Sequence, residues 1–158
     1  MAKNLTATAY RPTVVFVTPR LPRPGTPSHG GPIVDHVSLI DTLRGKRCSV
    51  AFLTVTQPQP FLRGEAIGLR VSGCNLAQPK ELQSFWYHTD DLHTDGLRAA
   101  ADDARGIGPE GQPTGMTIAW AASPHFFRKE RAFVLYLGDD PAVLALLTEL
   151  LGPQFAGR

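Results

Sequence analysis

The sequence predicts an α+β fold: an antiparallel or mixed sheet with helices packed on one face, preceded by a Pro-rich irregular leader. Three observations point there. Short apolar runs of strand composition come in groups separated by single stretches at helical spacing, the pattern of a sheet with segregated helices. The chain has 158 residues, with 42% hydrophobic and 19% charged, enough for one packed domain and a tail. Its 14 prolines are unevenly spread, with six from Pro12 to Pro32. Proline fixes φ and removes a donor, so that stretch favours extended, polyproline-II-like chain. The expected division is a leader over 1–32 and a single domain over 33–158.

Each element has its own local reason. Pro32 suits the first position of a helix and Gly45 the residue after its end, with Ile33, Val37, Ile40 and Leu43 near helical spacing. Cys48 to Val55 alternates as a strand until Pro58 and Pro60 stop it, and Ala66 to Ser72 places Ile67, Leu69 and Val71 on one face. Leu82 to Tyr87 is a third strand, rich in aromatics. Thr94 or Asp95 can cap the next helix, whose stripe is Leu97, Ala100, Ala101 and Ala104, with Gly106 and Gly108 ending it. Met116 to Ala121, Phe126–Phe127 and Ala132 to Leu137 read as strands, with Arg128 to Arg131 as the turn between the last two. Asp140 then caps a closing helix with Pro141 at its first position, Val143, Leu144, Leu147 and Leu151 on its apolar face, and Gly152-Pro153 as the stop.

Charge excludes more than it identifies. The net charge of +2 is too small to argue for nucleic acid, and no nucleic-acid partner is expected. The chain is lopsided, however: residues 1–79 carry +6 and residues 80–158 carry −4. No apolar run approaches the ~18 residues of a membrane span, so no transmembrane segment is expected. The run Val14-Val15-Phe16-Val17 is shorter than the ~7–15 residues of a signal-peptide core. No lipobox-type cysteine follows it.

Four groups of residues are candidates for function. His88, Asp91 and His93 lie in a dense polar stretch, His88 to Asp95, that could hold a divalent ion, although carboxylates before a helix also serve as caps. Trp86, Tyr87 and Trp120 fall on expected strands and would form a stacking surface for a sugar or an aromatic partner if they project from an uncovered face. Adjacent strand residues point to opposite faces, so one of Trp86 and Tyr87 is partly exposed unless both faces are covered. His125, with Ser123 close by, lacks the Gly-x-Ser-x-Gly elbow, an orienting acid and an oxyanion donor that a hydrolase would need. Cys48 starts the first expected strand of the domain and Cys74 comes just after the second. If these strands pair antiparallel, the two could approach disulfide distance and form a bridge in an oxidising compartment; in a reducing one, or if they are unrelated in space, they remain free thiols.

Two resemblances add to this reading. Gln57-Pro58, Pro60-Phe61, Ala99-Ala100-Ala101 and Ile107-Gly108-Pro109-Glu110-Gly111 begin an ordered series of motifs. It continues through Met116-Thr117-Ile118-Ala119-Trp120, Pro124-His125-Phe126-Phe127, Val134 to Asp140 and Leu150 to Gly157. The series resembles the C-terminal domain of uncharacterised bacterial lipoproteins thought to sit on the cell surface. That resemblance covers roughly residues 37–158 and brings no catalytic residue; it implies an exported, surface-tethered domain. At the other end, Val14 to Pro22 followed by His29-Gly30-Gly31 is similar to the first strand and loop of a two-domain (GT-B) glycosyltransferase. The expectation is therefore a non-catalytic binding or accessory domain without a cofactor, whose partner is another protein or a surface glycan. The alternatives are an acceptor-side glycosyltransferase fragment and a structural subunit of a larger complex.

Overall fold

The computed structural model describes residues 32–54, 59–87 and 96–158. The leader with Val14–Val17 and His29-Gly30-Gly31, the pair Gln57-Pro58, the His88, Asp91 and His93 cluster, and the Thr94 and Asp95 caps lie outside them. Among the described residues nine elements follow in chain order: α1 (His36–Gly45), β1 (Cys48–Leu53), β2 (Glu65–Gly73), β3 (Lys80–Trp86), α2 (Gly96–Gly106), β4 (Pro124–Lys129), β5 (Ala132–Leu137), α3 (Pro141–Leu151) and β6 (Ala156–Gly157). The strands form one sheet of order β1-β2-β3-β5-β4-β6, and every neighbouring pair is antiparallel. The class is α+β, with an antiparallel sheet.

Helix α1 starts later than its proline implies. Asp35 has extended backbone and caps the helix: its Oδ1 accepts from Ser38 N–H at 2.9 Å, while Ser38 Oγ accepts from Asp35 N–H at 3.0 Å. This reciprocal arrangement satisfies donors that a helix start otherwise leaves open, so Pro32 stays outside the helix. The buried face is His36, Leu39, Ile40 and Leu43, whereas Val37, expected inside, is exposed. Burial pushes the Asp35 carboxyl up, but the Ser38 hydrogen bonds, with His36 and Arg131 nearby, more than offset this and hold it below its ordinary 3.8. A depressed folded-state value stabilises above the ordinary pKa, and that contribution disappears as pH falls through the folded value. Asp35→Asn should therefore reduce the stability lost on acidifying from about pH 6 to about pH 3 by a few tenths of a kcal/mol, given its solvent screening. Urea midpoints at the two pH values check this; equal acid losses in both proteins would contradict it.

The helices do not share one face, which corrects the expectation. Leu82, Phe127, Val134 and Tyr136 belong to a core covered by α1 (Leu39, Ile40, Leu43) and α3 (Val143, Leu147, Leu150, Leu151). Phe85, Phe126, Phe133 and Leu135 belong to a second core on the opposite face, covered by Ala99 and Ala100 of α2 together with Leu62 and Ile107. The cause is written in β5, where five of the six residues from Ala132 to Leu137 are buried. Successive strand residues alternate faces, so a continuous apolar run needs cover on both sides.

Other boundaries moved for local reasons. Met116 to Ala121 is irregular rather than a strand: Gly115 turns the chain at φ +80° and the Ile118 N–H donates to Gln112 Oε1 at 3.0 Å, outside the sheet. Strand β4 extends to Lys129, so Arg128 lies in the sheet and the turn tightens to Glu130 and Arg131. Within α2, Leu97 is 39% exposed, and the smaller Ala99 and Ala100 meet the sheet. Helix α3 follows its expected punctuation, with Asp140 Oδ1 accepting from Ala142 N–H at 2.9 Å, Pro141 in the first turn and Gly152 at the end with φ +87°.

Candidate ligand-binding cleft

Strand β4 alternates toward the two cores. His125 and Phe127 face α1 and α3, while Phe126 and Arg128 face α2. After Gly152 and Pro153 stop α3, the chain returns along the outer side of β4, where Phe155 N–H donates to the Phe126 carbonyl at 3.0 Å. The Phe155 ring then packs on Phe126 and Phe133, with centroids 6.1 and 5.4 Å away. Between this returning segment and the small side chains Ala101 and Ala104 of α2 lies a cleft of about 490 Å³. Ile107, Pro153 and Phe155 give it apolar walls; among the described residues Arg105 and Arg128 are the charged ones that line it. A volume of this order falls within the ~300–1,000 Å³ usual for small-ligand sites.

The two arginines differ in their commitments. Arg105 is paired with Asp102 one turn back on α2. Arg128 Nε is buried and has no hydrogen-bond partner among the described residues. Guanidinium stays charged and offers only donors, so an unanswered buried N–H on it is costly. Strand β6 pairs with β4 only at His125 and Phe126, which leaves the outer edge uncovered by β6 at Arg128.

The expected aromatic surface is not assembled. Trp86 stands on the α1 face, its ring 4.2 Å from that of His36. Tyr87 is buried on the opposite face, where its hydroxyl donates to Asp103 Oδ2 at 2.7 Å. Trp120 shares the Tyr87 side but packs edge-on against Phe61 and Phe126, at 6.4 and 6.0 Å. With both sheet faces covered, adjacency of Trp86 and Tyr87 no longer requires that one project into solvent.

Tyr87 instead belongs to a structural tie. Asp103 of α2 accepts from Tyr87, from Arg63 N–H at 2.8 Å and from Arg63 Nε at 2.8 Å, while Arg63 Nη2 reaches the Ala99 carbonyl at 3.1 Å. Burial, and then the bond to Asp103, pushes the Tyr87 phenol above its ordinary range. Gly64 lets the ring lie close, since a Cβ there would stand 2.7 Å from Tyr87 Cε2. Tyr87→Phe should cost about 1–2 kcal/mol by leaving the Asp103 oxygen short of a donor. A urea midpoint shift at unchanged slope checks this; an unshifted midpoint would contradict it.

Cys48 and Cys74 are joined by a disulfide. The β1–β2 ladder sets Cys48 opposite Gly73, and the tight turn that follows brings Cys74 to a Cα separation of 4.7 Å. His125 Nδ1 lies 2.7 Å from Gln154 Oε1 and Nε2 lies 3.7 Å from Asp139 Oδ1, so neither nitrogen is paired with Ser123. Among the described residues no group of three or more His, Cys, Asp or Glu could hold a metal ion. Nor is any helix among them long and apolar enough to cross a membrane.

No protein-family model, curated protein or solved structure matches the chain.

The cleft itself was not foreseen from the sequence. Its lining comes from α2, β4 and the segment after α3, and Arg128 was expected in a turn. The legible signals were the small-residue stripe of α2 and the exposed-type arginine next to Phe126-Phe127.

Proposed function

We propose that the domain is a non-catalytic binding or accessory module whose ligand occupies the cleft between α2, β4 and Phe155. The observation that carries this reading is the lining: Arg128, whose Nε has no hydrogen-bond partner among the described residues, stands with Arg105 beside the apolar Ile107, Pro153 and Phe155. Resemblance to the C-terminal domains of bacterial surface lipoproteins supports placing the module outside the cell, with the Pro-rich leader as tether. A disulfide between Cys48 and Cys74 is in keeping with an oxidising compartment. An acceptor-side glycosyltransferase fragment is less favoured, because its crossover architecture calls for parallel strands and all pairings among the described residues are antiparallel. Native mass in solution separates a lone module from a subunit of a larger assembly.

The test is a fragment screen by amide NMR with neutral, cationic and anionic small molecules. Binding without turnover, with shifts clustered at Ala104, Arg128 and Phe155, is the expected result. Shifts that cluster elsewhere, or chemical conversion of a bound fragment, would overturn the reading.

A further inference from the structure

Resting on the reading of this cleft as the binding site, we infer that its ligand presents a carboxylate carried on an apolar body. Arg128 and Arg105 supply the charge of the lining, among the described residues no carboxylate lines it, and Ala104, Ile107, Pro153 and Phe155 supply apolar surface. Phe155 remains 37% exposed, an uncommon position for a large aromatic that has a core beside it. A guanidinium presents a planar fork of donors that a carboxylate answers with two oxygens at once. Because Asp102 already engages Arg105, Arg128 is the anchor and Arg105 the secondary contact.

The backbone of β4 adds a donor to the same place. Outward-facing groups recur at every second residue on the edge of an antiparallel ladder. The carbonyls of Pro124 and Phe126 face outward and accept from Arg158 and Phe155 N–H, both at 3.0 Å. Arg128 follows in the same phase, beyond the last residue that β6 covers. Its N–H therefore faces the edge beside its own side chain. A small, strongly hydrated anion would leave the apolar walls unused, whereas an apolar acid fills both parts of the recess.

Calorimetry on the full chain with 3-phenylpropanoate, 3-phenylpropanamide and inorganic phosphate tests this. The acid should bind at least about tenfold more tightly than either the neutral amide or phosphate, the usual scale for a charge-assisted hydrogen bond. Arg128→Met should weaken the acid by about tenfold or more and leave the amide within about twofold, with a smaller loss for Arg105→Gln. Arg128→Lys keeps the charge without the fork and should fall between wild type and Arg128→Met, which keeps the test available if the methionine variant does not fold. Equal binding of acid and amide would overturn the carboxylate while leaving the cleft as an apolar site. Phosphate binding as tight as the acid would overturn the apolar body. Acid binding with amide shifts remote from Arg128 would overturn this inference and the proposed site together, and failure of the acid to bind at all would overturn this inference.

Discussion

Phe133→Ala is expected to be among the most damaging single substitutions in the domain, costing about 3–5 kcal/mol. Phe133 is fully buried at the centre of the α2-side core, with the rings of Phe85, Tyr87, Phe126 and Phe155 at 5.9, 5.9, 6.2 and 5.4 Å. Phe126 is also held by Trp120 and Phe155, and the Tyr87 hydroxyl by Asp103, so these neighbours cannot collapse fully into the vacated space and part of the cavity persists. Domains are stable by only about 5–15 kcal/mol, so this loss brings the variant near its unfolding threshold at ambient temperature. Phe52→Ala, on β1 and 49% exposed, should shift stability by less than about 1 kcal/mol. Urea unfolding of the two variants side by side checks the contrast. Comparable losses would mean that β5 is not the centre of two cores.

The second large effect is expected from the disulfide. Cys48 and Cys74 are 26 residues apart in sequence. Closing a loop of that size removes denatured-state entropy worth roughly 3 kcal/mol in the chain-entropy model. The Cys48→Ser, Cys74→Ser double variant should therefore unfold at markedly lower urea, and reductant should lower the wild-type midpoint by a similar amount. The native β1–β2 register should survive, because the ladder from Cys48↔Gly73 to Leu53↔Gly68 is set by backbone pairing and by the Val50 and Val71 face. Two reactive thiols in denatured protein purified without reductant would contradict the bridge.

How much of this was legible in the sequence depends on how local each cause is. Helix α3 was readable because Asp140, Pro141 and Gly152 act on their own backbone within one turn. The β1 and β2 cores were readable because alternation is a property of neighbours, and that of β3 because its aromatic residues favour strand. The start of α1 was misplaced because Pro32 and Asp35 are both good starting residues, and only the Ser38 hydrogen bonds decide between them. Met116 to Ala121 has strand composition, yet its backbone goes to Gln112 and its Trp120 to an aromatic cluster formed with Phe61, a residue distant in the chain. The two-faced burial of β5 could have been drawn from its unbroken apolar run, since helices on one face would leave alternate residues wet. Strand β6 is two residues long and carries no pattern of its own. The cleft was the least legible feature, because Arg105, Arg128 and Phe155 are brought together only by tertiary structure.

Arg128 is the anchor of the proposed ligand, and the most direct measurement observes its side chain. In protein labelled with ¹⁵N at arginine, the Nε–Hε resonance of Arg128 can be assigned by its loss in Arg128→Lys. In the free protein this group lacks an acceptor among the described residues. On saturation with 3-phenylpropanoate its proton should move downfield and its exchange with water should slow, while 3-phenylpropanamide produces neither change to the same degree. An Arg128 Nε–Hε resonance that stays in place while the acid is bound would contradict the claim.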